Sequence, residues 1–323
     1  MNRTVCVGDS HTWGEGATGV DNAFDPPAVG GDSRPVKFAP PNYVNLLRRT
    51  LSTDFCEILP EHLTCPQEGE HAVFTDYTIP FQGEFGRVML YYHPDGGKVE
   101  FLLDGQPYTT EDTCFDASIL PPARTAPRLH RFVDIWASCG GAHSLRIRSD
   151  KPVYFYRAEF YNCGRAVLNA GVGSCPTGTF LNEYWDMYVA RYKPDEVIIN
   201  PMSINDWIVQ TSIEDYERNI TELVNRTRAL GARPILVTVV PITGSQYFGE
   251  SGLHYDEYID ATRRVAAREN VPLADANRAV SEERARTCKD EDEFFRLFCH
   301  DCWHPNDRGH AIYAQEILKA RAR

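Results

Sequence analysis

Thr4-Val5-Cys6-Val7-Gly8-Asp9-Ser10-His11-Thr12-Trp13-Gly14 is the stretch on which the reading of the fold turns. The apolar run Thr4 to Val7 reads as a short buried strand, stopped by the polar turn Gly8-Asp9-Ser10. A loop rich in Gly, Pro and Asp follows from Gly14 to Pro41. Tyr43-Val44-Asn45-Leu46-Leu47 then begins a helix that sets Val44, Leu47 and Leu51 on one face. A strand followed by a helix is one βα unit, and the rest of the chain decides whether it is repeated.

It is repeated after Gly164. Ala166-Val167-Leu168 reads as a strand and Thr179 to Tyr192 as a helix. Glu196-Val197-Ile198-Ile199 is a strand, and Ser212 to Leu230 a long amphipathic helix stopped by Gly231. Pro234 to Val240 is a strand, His254 to Asn270 a helix, Pro272-Leu273-Ala274 a short strand, and Asp307 to Ala322 a closing helix. Such alternation predicts an α/β fold, a doubly wound parallel sheet with helices on both faces.

Between these parts the texture changes. Arg87 to Tyr92, Val99 to Leu103, Arg131 to Trp136, Ser144 to Arg148 and Val153 to Tyr156 are short strand-like runs. Pro94-Asp95-Gly96-Gly97 and Asp104-Gly105 mark turns between them. Regular short strands with such turns predict a small β-sandwich inserted after the first βα unit. The expected domains are therefore 1–65 with 163–323, and an inserted β domain over 66–162.

Composition narrows the functional classes. The 323 residues are 42% hydrophobic, enough for a sizeable core. The formal net charge of −12 opposes phosphate backbones and anionic membrane surfaces, so no nucleic-acid or membrane partner is expected. No stretch approaches the ~20 apolar residues of a membrane span. No apolar signal segment precedes the first motif, which predicts a cytoplasmic protein if Met1 is the native start and a secreted one if the sequence is trimmed. The ten cysteines are spread through a chain too long to need disulfide staples, and read as mostly buried or free thiols. Cys299 and Cys302, with Cys288 and His300 nearby, lack the second close pair that a structural zinc site shows. No metal and no cofactor are expected.

Doubly wound sheets bind ligands at the carboxyl ends of their strands. Polar clusters fall there: Gly8 to His11, Asn169 to Thr177, and Asn200 to Asp206; Asp301-Cys302-Trp303-His304-Pro305 precedes the last helix. A serine hydroxyl needs a base within hydrogen-bond reach to act as a nucleophile. His304 would take the Ser10 proton and later return it to the leaving oxygen, while Asp301 would hold the other imidazole N–H and fix the tautomer. His11 is an alternative base, although adjacent side chains in a turn rarely meet. Asp9 reads as support for the turn. Trp13, Trp207 and Trp303 flank these clusters and suit either a substrate wall or the core.

In order and context, the Gly8-Asp9-Ser10 and Asp301 to Pro305 blocks resemble those of the SGNH hydrolases, the GDSL esterase/lipase family, over residues 1–52 and 163–323. The resemblance implies a three-layer, flavodoxin-like α/β fold and a serine esterase using Ser10, His304 and Asp301. It also implies an oxyanion hole built from the Ser10 N–H, a backbone N–H of the second block and an Asn side chain of the third. The third block is Ser203-Ile204-Asn205-Asp206, which keeps Asn205 but carries Ser203 where the family usually has glycine. In the second block the donor falls on Ser174 by spacing and on Gly173 by residue type. Gly171 reads as a plain tight turn.

Val99 to Gly105 and Ala142 to Ile147 resemble galactose-binding-like jelly-roll modules, which accompany carbohydrate esterases of this type. That resemblance implies an acylated oligosaccharide, O-acetylated above all, as substrate. A lid or a dimerisation element is the alternative reading of the same segment. The competing functions are a lipid or thioester hydrolase, a sugar O-acyltransferase using the same three residues, and a non-catalytic sugar-binding protein.

Overall fold

The computed structural model describes residues 1–20, 38–52, 54–111, 113–119, 130–138, 140–241 and 252–323. Most of the expected Gly14–Pro41 loop lies outside them. The chain forms two compact units, Asn2–Thr50 with Val167–Arg323, and Met1 with Leu51–Ala166. Strand β1 (Asn2–Gly8) opens the chain. Then come β2 (Asp54–Ile58), β3 (Gln67–Glu68), β4 (His71–Gln82), β5 (Phe85–Tyr91), β6 (Glu100–Leu103), β7 (Gln106–Pro107), β8 (His130–Trp136) and β9 (Ala142–Cys163). Strands β10 (Arg165–Gly171), β11 (Glu196–Ile199), β12 (Arg233–Val237) and β13 (Leu273–Ala274) complete the set.

The first unit is an α/β three-layer hydrolase fold with a parallel sheet. Its five strands run in the order β10-β1-β11-β12-β13. Parallel register pairs Val5 with Val197, Ile198 with Ile235, and Leu236 with Leu273. Val5, Cys6, Val7, Val197, Ile198 and Ile199 are all fully buried, which is what a strand covered on both faces requires. The order reverses direction at β1: the chain leaves it for β10 on one side and returns to β11 on the other. That makes the carboxyl end of β1 the topological switch point, where such sheets form their crevice. Ser10 begins the helical turn Ser10–Trp13 just beyond it.

Several helices follow the sequence pattern closely: Tyr43–Leu51, Ile213–Ala229, Tyr255–Arg268 and Asp307–Arg321. The helix expected from Thr179 to Tyr192 is interrupted instead. It runs as α-turns at Thr177–Thr179 and Trp185–Tyr188, a π-helical segment at Phe180–Tyr184 and a 3₁₀ turn at Ala190–Tyr192. Three helices fall outside the elements expected from the sequence: Ser203–Ile208, Ala276–Thr287 and Glu291–Phe298.

The second unit is antiparallel. Its path is β3-β4-β9-β5-β8, with β2 and β6 also on β9 and β7 on β6. Ile79, Val88, Phe101, Val133, Leu145, Ile147, Phe155 and Phe160 form a core of its own. Two expectations are corrected here. The β unit starts before residue 66, because Cys56 pairs with Phe160 and Ile58 with Ala158, tying β2 to β9. Ser144–Arg148 and Val153–Tyr156 are one strand of 22 residues, not two. Its ladder to β4 slips between Phe74 and Asp76, around Pro152, whose nitrogen has no hydrogen to donate.

Candidate active site

Asp9 caps the turn after β1 by accepting the His11 backbone N–H at 3.0 Å. This aims Ser10 out of the first helical position. The partner group comes from the loop before the last helix. That loop is closed by the His300 N–H to the His304 carbonyl and the Asn306 N–H to the Phe298 carbonyl, each at 2.9 Å. Asn306 then caps the helix, accepting from the Arg308 and Gly309 N–H groups.

The two ends of the chain meet at the switch point. His304 Nε2 lies 2.8 Å from Ser10 Oγ, and His304 Nδ1 lies 2.9 Å from Asp301 Oδ2. Asp301 Oδ1 accepts the backbone N–H groups of Trp303 and His304, both at 2.7 Å. Ser10 is 4% exposed and His304 7%. Burial works against the His304 imidazolium, but the Asp301 hydrogen bond and the charges of Glu15, Asp301 and Asp9 outweigh it and hold its pKa above the ordinary value. Burial also opposes the Asp301 carboxylate. The His304 hydrogen bond and charge, with the two backbone donors, bring its pKa down to about 2. The result is a continuous hydroxyl–imidazole–carboxylate line, able to move a proton off Ser10.

His11 is not free to serve as that base. Its Nδ1 lies 3.0 Å from Asp9 Oδ1 and its Nε2 2.9 Å from the Trp303 carbonyl, which can only accept. The ring therefore braces the His304 loop against the Ser10 turn. Burial raises the Asp9 pKa, but the charge and hydrogen bonds of His11 outweigh it and keep Asp9 ionised below the usual range.

Asn205 follows β11 and gives one amide N–H to Asp9 Oδ2 at 2.9 Å. Ser203, where glycine was expected, turns inward and bonds Tyr216 Oη at 2.6 Å. After β10, Gly173 is buried and Ser174 is exposed. Ser174 has φ +54°, a left-handed conformation that favours glycine. Gly171 is more than a turn residue: a Cβ there would lie 2.7 Å from Trp13 Cα. Trp13 and Trp207 are core residues, while Trp303 is half-buried beside Trp207, with ring centres 5.7 Å apart.

Three functional features escaped sequence reasoning. Asp206 accepts the Thr177 N–H at 2.8 Å and hydroxyl at 3.0 Å, tying the segments after β10 and β11 together; burial pushes it up to about 6. His310 is fully buried and faces the Glu15 carbonyl. Glu15 itself turns its carboxylate toward His304. The one signal was Glu15's place between Gly14 and Gly16, which reads equally well as loop.

Glu15, Asp301 and His304 bring donor atoms within 4.8 Å of one another. Both His304 nitrogens are already engaged, so the trio reads as a proton network. Cys299 and Cys302 enter no such cluster among the described residues, and the eight cysteines whose side chains are described are free thiols.

A parallel three-layer α/β sheet with this proton-transfer line at its switch point is a hydrolase fold. Residues 137–312 match the sequence model of the GDSL-like lipase/acylhydrolase family. The chain belongs to that family, a family of carboxylic ester hydrolases. The match starts after Ser10, so the N-terminal turn lies outside it. Among solved structures, Axe2, an acetylxylan esterase from Geobacillus stearothermophilus, is 25% identical, with a TM-score of 0.41 over 49% of this chain and 72% of its own. LAE5, an α/β hydrolase enzyme from the metagenome of Lake Arreo, Spain, is 24% identical with a TM-score of 0.41 over 49% and 73%. No curated protein matches the chain in sequence.

Proposed function

We propose that the protein is a serine esterase that removes short acyl groups, O-acetyl above all, from carbohydrate through a covalent acyl-enzyme. The observation that carries this reading is the 2.8 Å contact between Ser10 Oγ and His304 Nε2, with Asp301 behind it. Ser10 Oγ attacks the ester carbonyl carbon as its proton passes to Nε2. The carbonyl π electrons move onto oxygen, and the resulting oxyanion is met by the Ser10 N–H, the N–H of Gly173 or Ser174, and the second amide N–H of Asn205. The C–O bond then breaks and Nε2–H protonates the leaving alkoxide. Water repeats the sequence on the acyl-enzyme and releases the acid. The left-handed backbone at Ser174 favours that residue as the second-block donor.

The carbohydrate part rests on the β unit, read as a β-sandwich of the galactose-binding type. A groove of about 650 Å³ there is lined by Phe101, Tyr108 and Phe115, with Lys98, Glu100 and Arg148. Aromatic faces beside charged groups suit a sugar, which presents both C–H and hydroxyl surfaces.

The deciding experiment measures acetate release from acetylated xylo-oligosaccharides and p-nitrophenyl acetate, with a panel of longer acyl chains, for wild type and Ser10→Ala. We expect short-chain activity that Ser10→Ala abolishes. Full activity in that variant, or none on any short-chain ester in the wild type, overturns the reading. A preference for long chains points to lipid or thioester hydrolysis, and acetyl transfer to sugar acceptors faster than hydrolysis to a transferase.

A further inference from the structure

Two carboxylates flank the His304 ring, and the mechanism above uses only one. Asp301 meets Nδ1. Glu15 Oε2 lies 3.5 Å from Nε2. Glu15 is 5% exposed, and Oε2 is buried with no hydrogen-bond partner among the described residues. An unpaired carboxylate oxygen is costly to bury, so its position needs a compensating cation nearby.

The backbone holds Glu15 in place from three directions. Its N–H donates to the Ser10 carbonyl at 3.0 Å. Its own carbonyl accepts His310 Nε2–H at 3.1 Å, and His310 Nδ1 accepts the Tyr43 N–H at 3.4 Å. The next residue, Gly16, has φ +93°, and a Cβ there would collide with the Pro305 carbonyl. The Glu15 segment is thus pressed against the loop that carries His304.

The groups facing Glu15 are His11 from the turn after β1, His300, Asp301 and His304 from the C-terminal loop, and His310, with Asp307 near it, from the last helix. His310 stays neutral, because burial pushes it down to about 3. His11 is taken up by Asp9 and the Trp303 carbonyl. His300 is exposed. His304 is the imidazole whose Nε2 edge Glu15 meets.

We propose that Glu15 is a positioning residue, a second buried carboxylate whose charge beside Nε2 holds the His304 imidazolium between uptake of the Ser10 proton and its delivery to the leaving oxygen. The proton stays on Nε2 for that interval and is never passed to Glu15. Burial raises the Glu15 carboxyl above its ordinary range even against the pull of His304, and the Glu15 charge is among the causes that raise His304 in turn. The inference rests on the reading of His304 as the base.

The test is the pH profile of kcat/KM on p-nitrophenyl acetate for wild type and Glu15→Gln, with the imidazole NMR titration of His304 in Ser10→Ala with and without Glu15→Gln. The acid limb and the titration should both move to lower pH by at least about one pH unit, the usual effect of removing an opposite charge at this range. If both stay within about 0.3 pH unit, Glu15 does not act on His304 and the inference fails. If the wild type hydrolyses no ester while the titration still moves, the esterase reading fails and the Glu15–His304 coupling stands.

Discussion

Asp301→Asn replaces one oxygen by an NH₂ group and leaves the shape unchanged. The structure dictates which oxygen. Asp301 Oδ1 accepts two backbone N–H groups, from Trp303 and His304, at 2.7 Å each. An amide nitrogen in that place would face two donors, so the amide oxygen must keep it. The NH₂ then takes the Oδ2 position, 2.9 Å from His304 Nδ1. Nδ1 still has the retained oxygen at 3.0 Å, but it loses the carboxylate charge and gains an N–H donor beside it, which favours the tautomer with the ring proton on Nε2, where it blocks transfer from Ser10. In serine hydrolases this tautomer error costs about 10⁴ in turnover. Here we expect a loss of about 10³ to 10⁴, or roughly 4–5 kcal/mol of transition-state stabilisation. The assay is kcat/KM on p-nitrophenyl acetate on the alkaline plateau, with thermal unfolding measured in parallel. Activity within tenfold of wild type at an unchanged Tm refutes tautomer control by Asp301.

Two further outcomes follow from packing and burial. Gly171→Ala would drive a Cβ into the backbone of Thr12 and Trp13, with Thr12 C at 2.7 Å. Overpacking of this kind costs about 1–3 kcal/mol, so Tm should fall by several degrees and kcat/KM with it as the Ser10 turn shifts; an unchanged Tm shows that the turn has slack. His310 has a folded pKa depressed to about 3 by burial. It contributes stability that is present above its unfolded pKa, near 6.5, and lost as pH falls toward 3, at up to about 1.4 kcal/mol per pH unit. Urea unfolding of His310→Gln between pH 6.5 and 4 should therefore show a shallower loss of stability than wild type, and equal slopes contradict the assignment.

The legible parts of this protein are those where one short window carries the physics. The fully buried β11, Glu196–Ile199, coincides with its apolar run, and helix Ile213–Ala229 with its 3.6-residue stripe ending near Gly231. The interrupted helix at Phe180–Tyr184 was not legible, because Phe180, Tyr184, Trp185, Tyr188 and Tyr192 have helical spacing and all bury. Strand β2 was missed because Asp54-Phe55-Cys56-Glu57-Ile58 is short and its polar and apolar residues do not alternate in sequence; pairing with β9 makes it a strand. The helices Ala276–Thr287 and Glu291–Phe298 were missed as well, the first polar over most of its surface and the second short.

By itself, the sequence determined the parallel α/β class, the Gly8-Asp9-Ser10 turn at a strand end and the Asp301-to-His304 spacing. Each depends on residues within one turn of one another, where periodicity and local hydrogen bonding act. Only the tertiary structure decided that β10 and β11 lie on either side of β1, which sets Ser10 beside a histidine 294 positions away. It likewise decided that His11 spends both nitrogens on structure and that Glu15 sets a second carboxylate beside His304. These are contacts between segments far apart in the chain, created by strand order and burial, and no local pattern encodes them.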